Sequence, residues 1–198
     1  MLLSQFTLIT GGARSGKSRF AELLAAHAKR PVIYIATAQI GDAEMALRIK
    51  KHRQQRPSTW RLIEEPRNIR AALIQLKDED AVILLDCVTL WLSNLLLADN
   101  PPKDQDSFNN ELEPRILDTV KDVAQLTREI KPQVIFVSNE VGQGIVPEHP
   151  LARAYRDLAG RSNQILAQSA DQVYLVVAGF PMEIKHPGEK LLASLLKE

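Results

Sequence analysis

The chain has almost nothing that would staple, anchor or strongly charge it. Its 198 residues contain one cysteine, Cys87, which excludes an internal disulfide and suits a reducing cytoplasm. Cys87 lies in a hydrophobic stretch, where an inert buried thiol is expected rather than a catalytic one. The formal net charge is only +1, too little for the broad positive field of a general nucleic-acid surface. The N-terminus, Met1-Leu2-Leu3-Ser4-Gln5, lacks the basic start and long apolar core of a signal peptide. The most hydrophobic stretch, residues 81–98, is interrupted by Asp86, Ser93 and Asn94, so it reads as a buried strand followed by a helix, not a membrane span. No internal repeat is visible.

What is present is the composition of a soluble globular protein, 45% hydrophobic and 25% charged, at a length that fits one α/β domain over residues 1–198. Short continuous apolar runs recur at 7–10, 32–36, 82–86, 134–138 and 173–178, as strands buried on both faces should. Helical patterns fall between them at 17–29, 42–55, 66–77, 89–98, 108–130 and 151–169. Alternation of this kind implies βαβ units and a mostly parallel sheet. Pro114 either kinks the long helix or sets its first turn. Residues 99–106 read as a surface loop, and 188–198 as a short amphipathic tail.

One segment sets the chemistry. Gly11, Gly12, Ala13, Arg14, Ser15, Gly16, Lys17 and Ser18 form a complete G-x-x-x-x-G-K-[ST] phosphate loop, preceded by an apolar strand and followed by a helical pattern. Glycines let backbone N–H groups curl around phosphates, and the new helix adds its positive end. Lys17 is expected on the β- and γ-phosphates and the Ser18 hydroxyl on Mg²⁺. The chain is therefore expected to bind a nucleoside triphosphate within an α/β P-loop NTPase fold, a RecA-like three-layer sandwich. Asp86, closing the apolar run Ala81-Val82-Ile83-Leu84-Leu85, is expected to approach the same Mg²⁺; a helix cap is the competing role.

Two further segments carry chemistry. In Arg48-Ile49-Lys50-Lys51-His52-Arg53-Gln54-Gln55-Arg56-Pro57, helical spacing puts 48, 52 and 56 on one face, although Pro57 pulls Arg56 out of helical geometry. A histidine among cations favours its neutral, nucleophilic form. Taken locally, an exposed basic helix with an idle histidine is the default. The stretch from Ser138 to Glu148 follows a strand, and ligands of parallel sheets bind at that edge. Asn139, Glu140 and Glu148 there could serve a ligand or cap a turn. Arg153, Arg156, Asp157 and Arg161 read as a solvated, salt-bridged face.

Together, GGARSGKS (11–18), IATAQ (35–39), RIKKHRQQRPSTWRLIEEP (48–66), LLDCVTLWLSNLL (84–96), SNEVGQGIVPE (138–148) and YRDLAGRSNQ (155–164) resemble one family closely. It is the bifunctional adenosylcobinamide kinase and adenosylcobinamide-phosphate guanylyltransferase family of cobalamin biosynthesis. The resemblance implies that adenosylcobinamide is phosphorylated from ATP or GTP, and that GMP then passes from GTP through a GMP–histidine intermediate to give adenosylcobinamide-GDP. It implies His52 as the nucleophile. It also implies GTP contacts at Gly11 through Ser18, Ala36, Thr37, Ala38, Arg53, Gln54, Gln55, Arg56, Glu64 and Asp86, with Mg²⁺ at Ser18 and Asp86. A cytoplasmic homo-oligomer, a trimer, is implied too, which would account for the apolar excess around 90–97; core burial is the rival account. The alternatives are a simple small-molecule P-loop kinase and a nucleotide-switched regulatory binding protein.

Overall fold

The computed structural model describes residues 4–39, 57–98 and 108–196. The helix expected over 42–55 and the loop expected over 99–106 lie outside them. The first three strands are β1 (Phe6–Thr10), β2 (Val32–Ala36) and β3 (Arg61–Glu64); β4 (Val82–Asp86), β5 (Gln133–Val137), β6 (Gln172–Val177) and β7 (Phe180–Glu183) follow. They form one seven-stranded sheet in the order β3-β2-β4-β5-β1-β6-β7. All neighbours pair in parallel except the terminal β6–β7 hairpin.

The continuous apolar runs arise because helices cover both faces. Alternate residues of each inner strand serve different cores. Ile9, Val32, Tyr34, Val82, Leu84, Ile135 and Val137 pack with α1 (Lys17–His27). Leu8, Ile33, Ile35, Ile83, Leu85, Val134 and Phe136 pack on the opposite face. There they meet α2 (Ile69–Gln75), α3 (Val88–Leu96), α4 (Glu113–Glu129) and α5 (Pro150–Ser169). Each face removes a contiguous apolar surface from water, the main favourable term in folding.

Strand positions agree with the apolar runs to within a residue or two, but two edge strands were not legible. β3 reads Arg-Leu-Ile-Glu with exposed ends, and β7 contains Pro181 and exposed apolar side chains; neither makes the buried run that signals an inner strand. Pro114 lies in the first turn of α4, where its missing N–H costs nothing, and a five-residue π-turn, Phe108–Leu112, leads into it. The tail expected at 188–198 is α6 (Lys185–Leu195), which starts earlier and has no buried residue. The apolar excess around 90–97 is mostly core. Trp91 and Leu92 are fully buried and Leu96 nearly so, and only Leu97 is more than half exposed, at 55%.

Candidate nucleotide site

Parallel pairing draws distant parts of the chain into one line at the carboxyl edge. Glu64, Ala36, Asp86, Val137, Ile9 and Tyr174 occupy one register row across six strands. The phosphate loop leaves this row two residues after Ile9. Glu64, Ala36 and Asp86, from three separate motifs, are therefore brought to the edge from which Gly11 emerges. Ligands of open parallel sheets bind outside this edge.

The loop is shaped by two glycines that nothing else could replace. Gly11 has φ +154°, and a side chain there would meet the Val176 carbonyl oxygen at 2.5 Å. Gly16 caps α1 at φ +97°, a left-handed conformation costly for other residues, and faces the Gly179 Cα. The Gly179 N–H donates to the Ser15 carbonyl at 2.8 Å, so the β6–β7 turn braces the loop. Because Gly16 offers no side-chain cap, the first-turn N–H groups of α1 remain for an anion.

Lys17 is buried, and its ammonium donates to the Gly12 carbonyl at 3.0 Å. Burial lowers its pKa, and the nearby Asp86 carboxylate opposes that shift. The two motifs thus sit within electrostatic reach of each other. Asp86 is not the cap of α3; that position is Cys87, which makes no side-chain cap bond. The Cys87 thiol is buried and its pKa is raised, first by desolvation and then by Asp86, a setting that disfavours the reactive thiolate.

Thr37 is fully buried, and its hydroxyl is taken up by Cys87: it donates to the Cys87 carbonyl at 2.8 Å and accepts from the Cys87 N–H at 2.9 Å. Asn94, not anticipated, donates to the carbonyls of Thr37 and Pro66 at 2.8 and 3.0 Å. Ala36 and Ala38 are half-buried and Glu64 is exposed. His52, Arg53, Gln54, Gln55 and Arg56 lie outside the described residues. Glu140 turns back on its own loop, accepting from the Gly142 N–H at 2.7 Å. The arginines of α5 behave as predicted in part: Arg156 pairs with Asp157, whereas Arg161 reaches the buried Glu113 at 2.8 Å. Burial raises the Glu113 pKa and Arg161 opposes the shift.

A second set of polar groups surrounds the Asp86 corner, and the sequence did not show what they touch. Asn139 donates to the Thr89 hydroxyl, and the Tyr155 hydroxyl donates to the Thr89 carbonyl at 2.9 Å. Burial pushes the Tyr155 pKa up to about 12. Asn163 accepts from Ser138 and donates to the Asn139 carbonyl. Tyr155 and Asn163 lie within one stretch of the motif that carried the resemblance, but only the fold shows what they touch.

The family described as cobinamide kinase / cobinamide phosphate guanyltransferase matches residues 7–184. The chain belongs to that family. It is 45% identical to the bifunctional adenosylcobalamin biosynthesis protein CobP of Pseudomonas aeruginosa, over 93% of this chain and 98% of that one. It is equally similar, 45%, to the bifunctional adenosylcobalamin biosynthesis protein CobU of Escherichia coli K12, over 90% of this chain and 98% of the relative. Among solved structures, a prototypical ATPase from the type III secretion system of pathogenic bacteria aligns with 96% of this chain and 54% of its own. Its TM-score is 0.55 at 13% identity, a likeness of fold alone. This member of the cobinamide kinase / guanyltransferase family therefore has the RecA-like P-loop NTPase fold, with the phosphate loop and Asp86 at the carboxyl edge of the sheet.

Proposed function

We propose that this chain carries both family activities at one nucleotide site. In the first, the hydroxyl of adenosylcobinamide takes the γ-phosphoryl group of ATP or GTP. In the second, GMP passes from GTP to the new phosphate, giving adenosylcobinamide-GDP. The observation that carries this reading is the alignment of the phosphate loop, Lys17 and Asp86 at one sheet edge in a chain that matches the family from residue 7 to residue 184.

Backbone N–H groups of Gly11 through Ser18 would hold the phosphates, and Lys17 would balance their charge. Ser18 and Asp86 supply oxygen donors that fit Mg²⁺, an ion that takes few protein ligands and leaves the rest to water and phosphate. When bound, it neutralises charge on the departing pyrophosphate. Ala36, Thr37, Ala38, Arg53, Gln54, Gln55, Arg56 and Glu64 would complete the GTP site.

His52 supplies the covalent step. An imidazole nitrogen attacks the α-phosphorus of GTP, an N–P bond forms, and the bond to pyrophosphate breaks. A phosphate oxygen of the corrinoid then attacks the same phosphorus, and His52 leaves as free imidazole. Arg48, Arg53 and Arg56, its neighbours in sequence, would offset the charge of the phosphate under attack.

The chain would act as a homo-oligomer, a trimer, in the cytoplasm. The exposed apolar surface of β7 and α6 supports assembly, and the buried, unpaired Cys87 supports a reducing compartment. No helix among the described residues is long and apolar enough to cross a membrane.

Incubation with GTP and Mg²⁺, followed by intact-mass spectrometry, tests the reading. Wild type should gain one GMP per chain, acid-labile and alkali-stable as a phosphoramidate is. His52→Ala should lose the adduct and guanylyl transfer but keep much of the kinase activity. A GMP adduct that survives in His52→Ala sinks the nucleophile assignment. Kinase turnover with no adduct in wild type leaves a simple P-loop kinase.

A further inference from the structure

Strand β5 lies between the strand of the phosphate loop and the strand of Asp86, with Val137 in register with both Ile9 and Asp86. The next two residues, Ser138 and Asn139, therefore leave the sheet between the two motifs. Backbone bonds fasten this exit to the phosphate loop: the Ser138 N–H donates to the Ile9 carbonyl at 2.9 Å, and the Glu140 N–H donates to the Gly11 carbonyl at 3.0 Å. On its other side, the Asn139 carboxamide donates to the Thr89 hydroxyl and faces the Cys87 sulfur at 3.8 Å. Thr89 is buried in the first turn of α3, three residues after Asp86.

Other groups hold Asn139 rather than duplicate it. Asn163 on α5 donates to the Asn139 carbonyl at 3.1 Å and accepts from Ser138 at 2.6 Å. Thr37, just after β2, fixes the Cys87 peptide, and Tyr155 fixes the Thr89 carbonyl from α5. Among the side chains of the described residues, Asn139 is the one that joins the Asp86 corner to the segment bonded to Gly11. A neutral amide suits that place, because it bonds Thr89 without adding charge beside Asp86 and Lys17.

We propose that Asn139 is a positioning residue for phosphate transfer, acting through Thr89 to hold Asp86 at a fixed place relative to the phosphate loop. The proposal rests on the nucleotide-site reading above and gives a role to Asn139, which the sequence left open between a ligand and a turn cap. Its effect belongs to turnover and to the metal requirement rather than to nucleotide capture, because Asn139 bonds neither Lys17 nor the first turn of α1. Small displacements of positioning groups cost up to about 100-fold in rate.

The test compares Asn139→Ala, Thr89→Val, the double variant and Thr89→Ser. Two quantities are measured: the Mg²⁺ concentration that half-saturates binding of a fluorescent GTP analogue, and kcat and KM for triphosphate turnover. Asn139→Ala and Thr89→Val should each raise the Mg²⁺ requirement about tenfold and lower kcat about 10- to 100-fold, with nucleotide KM within about threefold. The double variant should be no worse than either single one, since both remove the same link. Thr89→Ser, which retains the hydroxyl, should behave as wild type. Should Asn139→Ala not fold, Thr89→Val against Thr89→Ser reads the same link. Additive losses, an unchanged Mg²⁺ requirement, or losses of kcat that simply follow thermal stability would overturn the proposal. The Mg²⁺ titration needs only nucleotide, so absence of a GMP adduct in wild type counts against guanylyl transfer and leaves this test intact.

Discussion

Lys17 carries a cost in the folded protein. Burial disfavours its charged form, so its folded pKa lies below the ordinary 10.5. Between those two values the folded chain binds fewer protons than the unfolded chain, and stability rises with pH through that window. Below it, the buried ammonium subtracts from stability in full. Lys17→Met should therefore melt higher than wild type at pH 7 without nucleotide, with the gap narrowing as the pH approaches 10.5. The same variant should weaken triphosphate binding by about 10- to 100-fold, the loss of a charge-assisted bond of about 1.5–3 kcal/mol. Melting curves at several pH values and a nucleotide titration check both halves. A variant that melts lower and still binds normally would mean that the lysine serves the fold alone.

At the scale of elements, the amino edge of the sheet is independent of the site and supplies a control. Gln5, just before β1, donates through its amide nitrogen to the carbonyls of Thr127, Ile130 and Pro132 at 3.1, 2.8 and 2.8 Å. These carbonyls belong to the end of α4 and the turn into β5, where a helix leaves acceptors unpaired. Gln5→Ala should cost about 1–3 kcal/mol and lower the melting temperature by several degrees, with kcat and KM unchanged. A change in nucleotide KM would show that the two edges are coupled. The elements also explain what was legible. Inner strands declare themselves as apolar runs because both faces are covered; β3 and β7, at the two margins, have one neighbour each and no such run.

For the whole molecule, the unpaired margin matters most. Phe180 is 75% exposed and Leu196 87%, and Met182, Leu191, Leu192 and Leu195 are also exposed on β7 and α6. A terminal helix with no buried residue leaves apolar surface in water, the usual mark of an interaction face. Leu192→Asp together with Leu195→Asp should reduce the mass measured by light scattering to that of one chain, with the far-ultraviolet circular dichroism preserved. A wild-type chain that is monomeric at micromolar concentration would remove the trimer from the reading. The surface around 90–97 should be indifferent to such changes, since most of its leucines serve the core.

By itself the sequence determined the phosphate-loop motif, the inner strands and the place of Asp86 at a strand end, because local order suffices for them: a contiguous loop motif, and apolar runs ended by a carboxylate. It also pointed to a buried Cys87 thiol, and burial raises that thiol's pKa. Only the tertiary structure decided what stands around those residues. The strand order put β5 between β1 and β4, and so gave Asn139 its place between two motifs separated by 67 residues or more in the chain. It enclosed the Thr37 hydroxyl and set Tyr155 on Thr89. It also moved the apolar surface from the helix after Asp86 to the C-terminal hairpin and helix. Contacts of this kind join residues far apart in sequence, and no local pattern of residue types records which strands will lie side by side.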